Sequence, residues 1–326
     1  MKVLFTPRLI AVSAMVLPLL MMSTPVAAQV PSRYVISNEF SADGSPHFPA
    51  INPVNNRLYV SDVAAGTVSM FDVETGAKLA ETVTGIQAHT VMVDSNLNLV
   101  YVANRGSNTL SVLDGSDNQK LADIAVGVGP HGVELDLPNH RAFVSNTGSN
   151  DITIVDLNSR TAIGTLPAGT EPWGVAYDGE HNWLYTSNTG DGTVSRIDLA
   201  TGAIAATIAV GGRPWNVRVA DHCKRIYVTN ETLGVVSVIR RDKLVSMIPV
   251  GAGAHGLVID EHGGVGYAAA TGANQVTVFS LRTNEALENL ATGKAPAALS
   301  RDPIRHRVYA ANQGGGTISV IERRHH

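Results

Sequence analysis

The chain is poor in cysteine and in charge, and it lacks any helical period. Cys223 is the only cysteine among 326 residues, so no internal disulfide can form and no cysteine pair can hold zinc. Its surroundings, DHCKRIYV, read as a turn entering a strand. Charged residues make up 16%, with 24 basic against 28 acidic, which excludes a general electrostatic attraction to nucleic acid or anionic membrane. No segment sustains apolar residues at a spacing of three to four, so amphipathic helices are not expected. HExxH, GxSxG, CxxCH and a dinucleotide fingerprint are all missing, and with them the commonest signs of hydrolase, haem and nucleotide chemistry.

The N-terminus is a separate matter. Lys2 and Arg8 precede an apolar run from Leu9 to Met22, and TPVAAQ offers Val26 and Ala28 at the small positions of a cleavage site. Residues 1–28 are therefore expected to be a removed signal peptide, with 29–326 a single periplasmic domain. Losing Lys2 and Arg8 takes the formal net charge from -4 to -6. No later run is long enough to span a bilayer, so no membrane insertion is expected after cleavage.

What is present is repetition. Glycine (31) and proline (15) punctuate short β-branched runs, the composition of strands and tight turns. The aromatics of NRLYVSD, NLVYVAN, HRAFVSN, NWLYTSN, KRIYVTN, GVGYAAA and HRVYAAN are Tyr59, Tyr101, Phe143, Tyr185, Tyr227, Tyr267 and Tyr309. They are spaced by 42, 42, 42, 42, 40 and 42 residues. Periods of this size mean propellers or solenoids, and four short antiparallel strands per unit mean a propeller blade. The seventh unit stops after its third strand, TISVIERR, while RYVISNEF stands unattached before the first. Pairing them would close the ring and cover an edge, so Tyr34 to Phe40 is expected as the outer strand of the last blade. The expected fold is all-β: one seven-bladed propeller with four antiparallel strands per blade, expected as a monomer.

YVTN at 227–230, with YVSD, YVAN, FVSN and YTSN at equivalent places, resembles the YVTN family of β-propeller repeat proteins, and more closely its periplasmic YncE-like branch. The resemblance covers essentially the whole chain after the leader. It implies an exported propeller without a defined activity. Some relatives bind single-stranded DNA, others occur in surface layers, and similar propellers serve as cofactor-free parts of redox enzymes. The fold does not choose among these.

Twelve residues before each aromatic lies a recurring slot, filled by His47, His89, His131, Trp173, Trp215 and His255, with Ala297 in the seventh unit. It precedes the first strand of each unit, the innermost in a propeller. These side chains are therefore expected at one mouth of the central channel. Three readings stand. The slot residues plug the channel and pack blade on blade. Alternatively, His47, His89, His131 and His255 converge on zinc, copper or nickel; without a recurring carboxylate, calcium and magnesium are disfavoured. In the third, the mouth takes a protein or small-molecule ligand, with Trp173 and Trp215 as stacking faces and Arg213, Glu171 and Arg105 at the rim. Single-stranded DNA would need those tryptophans together with Arg213 and Arg218 as a basic track.

Other recurring positions read as architecture. Asp62, Asn104, Asn146, Asn188, Asn230 and Asn312 end second strands, and Asp72, Asp114, Asp156 and Asp198 lie near the ends of third strands. Both groups are expected to cap turns with their own side chains. Gly76 and Gly202 are expected at positive φ. A metal-assisted lactonase or lyase would need an acid–base pair near the axis, where Glu134, Arg218 and Arg301 are the charged residues. Nothing in the spacing pairs Glu134 with a histidine, so no catalysis is expected. The leading expectation is a binding or scaffolding protein.

Overall fold

The computed structural model describes residues 32–324, together with Met1. The expected signal peptide and the final His325 and His326 lie outside the described residues. Within them run 28 strands in seven four-stranded antiparallel sheets, and the one helical element is a single 3-10 turn, Leu137–Asn139. Blade 1 spans 46–83, blade 2 88–125, blade 3 130–167, blade 4 172–209, blade 5 214–249 and blade 6 254–291. Blade 7 joins 296–323 to the strand Tyr34–Ser41, in the order first, second and third strand from the C-terminal end and fourth from the N-terminal end. The expected closure is observed: Tyr34 pairs with Arg323, Ile36 with Ile321 and Ser41 with Thr317.

Burial explains the sequence pattern. Second strands such as Arg57–Asp62 are buried on both faces, because each face packs against a neighbouring blade. That is why Leu58, Tyr59 and Val60 run without alternation. Fourth strands such as Lys78–Val83 alternate exposed and half-buried residues, as an outer edge should. The core is thus a set of layers between blades. Tyr59, Val68 and Met70 of blade 1, for example, pack on Val91, Val100 and Val102 of blade 2.

The capping expectations hold for the aspartates and for Asn230, whereas the other second-strand asparagines instead bridge to the third strand. The Asp72 carboxylate accepts the N–H of Glu74 at 3.1 Å and of Thr75 at 3.0 Å, and Asp156 accepts that of Ser159 at 2.7 Å. Gly76 and Gly202 sit at φ 69° and 70°. Asn104, Asn188 and Asn312 are fully buried and donate to Thr and Ser hydroxyls of their own third strands, as in Asn188 to Ser195 at 2.9 Å.

Candidate functional site

The recurring slot lies inside the first strand, not before it: His131 is the second residue of Pro130–Asp136. The reason is a β-bulge. Pro130 pairs with Asn146 and Val133 with Val144, leaving His131 and Gly132 opposite Ser145 alone. Blades 1 to 6 all carry this bulge between the equivalent residues, and blade 7 a shorter one between Pro296 and Ala298. A bulge bends the strand and re-aims a side chain, which here turns every slot residue toward the axis.

In four of the blades a hydroxyl fixes the bulge to the next blade. Ser145 Oγ accepts the Gly132 N–H at 2.9 Å and donates to the Trp173 carbonyl at 2.5 Å. Ser187 does the same for Gly174 and Trp215, and Thr229 for Asn216 and His255. Ser61 links Phe48 to His89. These residues are the third letters of YVSD, FVSN, YTSN and YVTN; Ala103, Ala269 and Ala311 stand there in the other three blades. The hydroxyls were legible as a recurring Ser or Thr, but their bridging role needs the neighbouring blade. Glycine follows the slot where blades approach most closely: a Cβ on Gly132 would lie 2.3 Å from the Trp173 carbonyl oxygen.

The six side chains meet in sequence order as a run of aromatic contacts around the axis, edge-on at His47–His89, tilted through the middle and stacked at Trp215–His255. Ring centroids are 4.4 Å apart for His47–His89, 4.3 Å for His89–His131 and 3.8 Å for His131–Trp173. They are 3.7 Å apart for Trp173–Trp215 and 4.1 Å for Trp215–His255. Ala297, in the seventh position, contributes no ring. His47, His89, His131 and Trp173 are buried, while Trp215 and His255 are half-buried. The two indoles spend their faces on ring neighbours, so the expected open stacking platform is not formed.

Burial keeps the imidazoles neutral. It pushes His47 down to about 4, with His255 adding to the effect, and holds His89 and His131 well below the usual range. His255 is also lowered by burial, against the pull of Glu231, whose Oε1 lies 3.5 Å from His255 Nε2. Three of the four histidines have a buried ring nitrogen with no partner among the described residues, Nδ1 of His47 and His89 and Nε2 of His131, while His255 Nε2 has only the distant Glu231 carboxylate. A cavity of about 30 Å³ lies against His47, His131 and His255, room for a water or two or one small ion. Among the described residues no three His, Cys, Asp or Glu side chains are gathered as a metal centre.

At the rim, Arg213 Nε donates to Glu231 at 3.0 Å, and the Arg105 guanidinium lies 5.6 Å over Trp173. Glu171 is there too, at φ 51°, its N–H bonded to Asn150. Arg218 is not at the rim. It lines the small cavity from within the channel and bonds Asn216 Oδ1 and the Val217 carbonyl, both at 2.9 Å, so it extends no surface track. Glu134, pushed up to about 7 by burial against the pull of Arg218, bonds no histidine among the described residues. Arg301 is committed to Asp260 at 2.7 Å.

No family model matches the chain, and no curated protein matches it. Among solved structures it is similar to hydrazine synthase of Kuenenia stuttgartiensis, with a TM-score of 0.78 over 89% of this chain and 99% of that one. The chain is a seven-bladed propeller. At 20% identity the likeness reaches the fold and stops there.

Proposed function

We propose that this propeller is a non-catalytic binding or scaffolding protein of the periplasmic YncE-like kind, and that the face above its aromatic ring receives a protein partner. The observation carrying this reading is the size of the space at the axis. About 30 Å³ is a tenth or less of the roughly 300–1,000 Å³ that organic ligands occupy. With the channel plugged there, recognition falls to the rigid outer face, where Arg105, Arg213, Glu171 and Glu231 offer charges of both signs.

The test is photo-crosslinking in cells with the reactive group placed at Arg213 or Glu171, and on the opposite face at Asn55. Discrete adducts from the rim positions and none from Asn55 are expected. Adducts from Asn55 alone, or none from any position, would overturn the reading.

A metal is the second reading, favoured by His47, His131 and His255 beside the small cavity, where His47 Nδ1 and His131 Nε2 have no partner among the described residues. Because no three ligands are gathered in place, binding would require the stack to rearrange. Titration of zinc, copper and nickel into a chain ending before His325 decides it. Stoichiometric binding lost on changing His47, His89 and His131 to Ala supports a metal; absence of binding removes it. Single-stranded DNA has less support, since the indole faces are taken and Arg218 points inward.

A further inference from the structure

One repeat interval is 40 residues where the others are 42, and the missing pair has a location. It is the hairpin between the third and fourth strands of blade 5. In blades 3 and 4, Asp156 pairs with Thr161 and Asp198 with Ala203, each across four residues. In blade 5, Arg240 pairs with Lys243 across two, Arg241 and Asp242, both at positive φ as a tight two-residue hairpin requires.

Elsewhere this hairpin has a packing duty. In blades 1, 3 and 6 its first residue seats an apolar side chain near the recurring aromatic of the preceding blade: Leu157 joins the cluster of Tyr101, Leu281 that of Tyr227 and Val73 that of Tyr309. Hairpin carbonyls also serve the tyrosine hydroxyls, as Gly115 does for Tyr59 at 2.5 Å. Blade 5 brings Arg241 and Asp242 to that place instead. The preceding aromatic, Tyr185, keeps its cluster with Val194, Ile208, Ile226 and Ile239 but lacks the hairpin's apolar side chain over it.

The result is a cleft of about 390 Å³ between blades 4 and 5, walled by Trp183, Val219, Ile226 and Ile239. Tyr185 lines it with 5% of its surface exposed, and its hydroxyl bonds no other described residue. Most charges around the cleft are spoken for. Asp178 holds the His181 ring at 2.9 Å, Glu180 pairs with Lys224 at 3.2 Å, and Asp242 takes Arg196 in a two-point bond. The carboxylate of Asp221 and the guanidinium groups of Arg240 and Arg241 have no partner among the described residues, and all three line the cleft. Burial and the neighbouring Asp178 raise the Asp221 carboxyl above its ordinary range, so a cation beside it would be welcome.

We propose that this cleft binds a small amphoteric organic molecule: an apolar body against Ile226 and Ile239, a protonated amine toward Asp221, an anionic group toward Arg240 and Arg241, and a hydrogen bond to Tyr185. A short apolar peptide with free termini has this chemistry. The volume falls inside the ordinary range for small-ligand sites, and the cleft is a different place from the ring face.

The probe is the dipeptide Leu-Phe, measured by calorimetry against the N-acetylated and C-amidated forms. Saturable binding is expected, weakened about tenfold by blocking either terminus and by Tyr185→Phe or Arg241→Ala, which corresponds to one hydrogen bond or charge contact. A second variant replaces the short hairpin with the longer DLATGA turn of blade 4. That turn restores an apolar cover for Tyr185, so the fold is expected to hold, as checked by circular dichroism and melting, while binding is lost. Failure of the dipeptide to bind, or equal binding by the folded long-hairpin variant, overturns the proposal.

Discussion

The Oγ of Ser145 lies 2.5 Å from the carbonyl oxygen of Trp173, the residue that the next blade sends into the ring. The same hydroxyl takes the N–H of Gly132, so it is fully engaged in a buried place. Ser145→Ala leaves an N–H and a carbonyl unpaired there. A loss of about 2 kcal/mol is expected, read as a lower urea midpoint at unchanged slope. A loss below a few tenths of a kcal/mol would mean that water replaces the hydroxyl without cost.

His47 makes stability depend on pH. Its folded value, about 4, lies below the ordinary 6.5, so the unfolded chain binds the proton more readily. The contribution is whole above about 6.5 and is lost as pH falls through the window down to about 4. The full effect is on the order of 3 kcal/mol. His47→Gln removes it, so the variant should lose less stability than the parent between those limits. Parallel stability curves would contradict the burial that the stack imposes.

Glu134 acts in the opposite sense. Its folded value is raised to about 7, so stability present at low pH is lost as pH rises from about 4.5 through 7. Glu134→Gln is expected to stabilise the protein at pH above 7 and to do little near pH 4.5. The carboxylate is only half-buried, so solvent screening reduces the gain to the order of 1 kcal/mol. Destabilisation by Glu134→Gln at high pH would show that Arg218 needs this carboxylate more than burial opposes it.

The strand Tyr34–Ser41 covers the outer edge of Thr317–Arg323. Starting the protein at Ala42 should expose that edge and open an aromatic contact, Tyr34 against Tyr267 with centroids 5.9 Å apart. A markedly lower melting temperature and concentration-dependent association are expected, checked by light scattering. A monomer with unchanged melting would show that the closure is dispensable.

Much of this architecture is legible in the residues. The spacing of Tyr59 to Tyr309 counts the blades, and the unattached RYVISNEF names the closing strand. The slot from His47 to His255 is also legible as a ring, because a period places equivalent residues at equivalent places. Its interior is not. That Trp173 and Trp215 stack on ring neighbours depends on distances between blades, and a linear pattern carries none. The bulge that moves His131 inside its strand is likewise invisible, since Pro130 and Gly132 suit a turn as well as a strand. The interval of 40 between Tyr227 and Tyr267 was in plain view, yet its meaning lies in the hairpin of one blade and the tyrosine of another.

Closure by both ends of the chain also sets an order of events. Tyr34 meets Arg323 only when the residues of all seven blades exist. Synthesis runs from the N-terminus, so the first strand to emerge is the last to find its neighbour. Blades 1 to 6 each form from contiguous residues, while blade 7 waits on a contact of very high sequence separation, the kind that slows folding. Until that contact forms, blade 7 has three strands and the outer edge of Thr317–Arg323 is bare. The complete seventh blade is therefore expected to appear late and in one step, and an agent that holds the N-terminal strand would leave that blade three-stranded with an exposed edge.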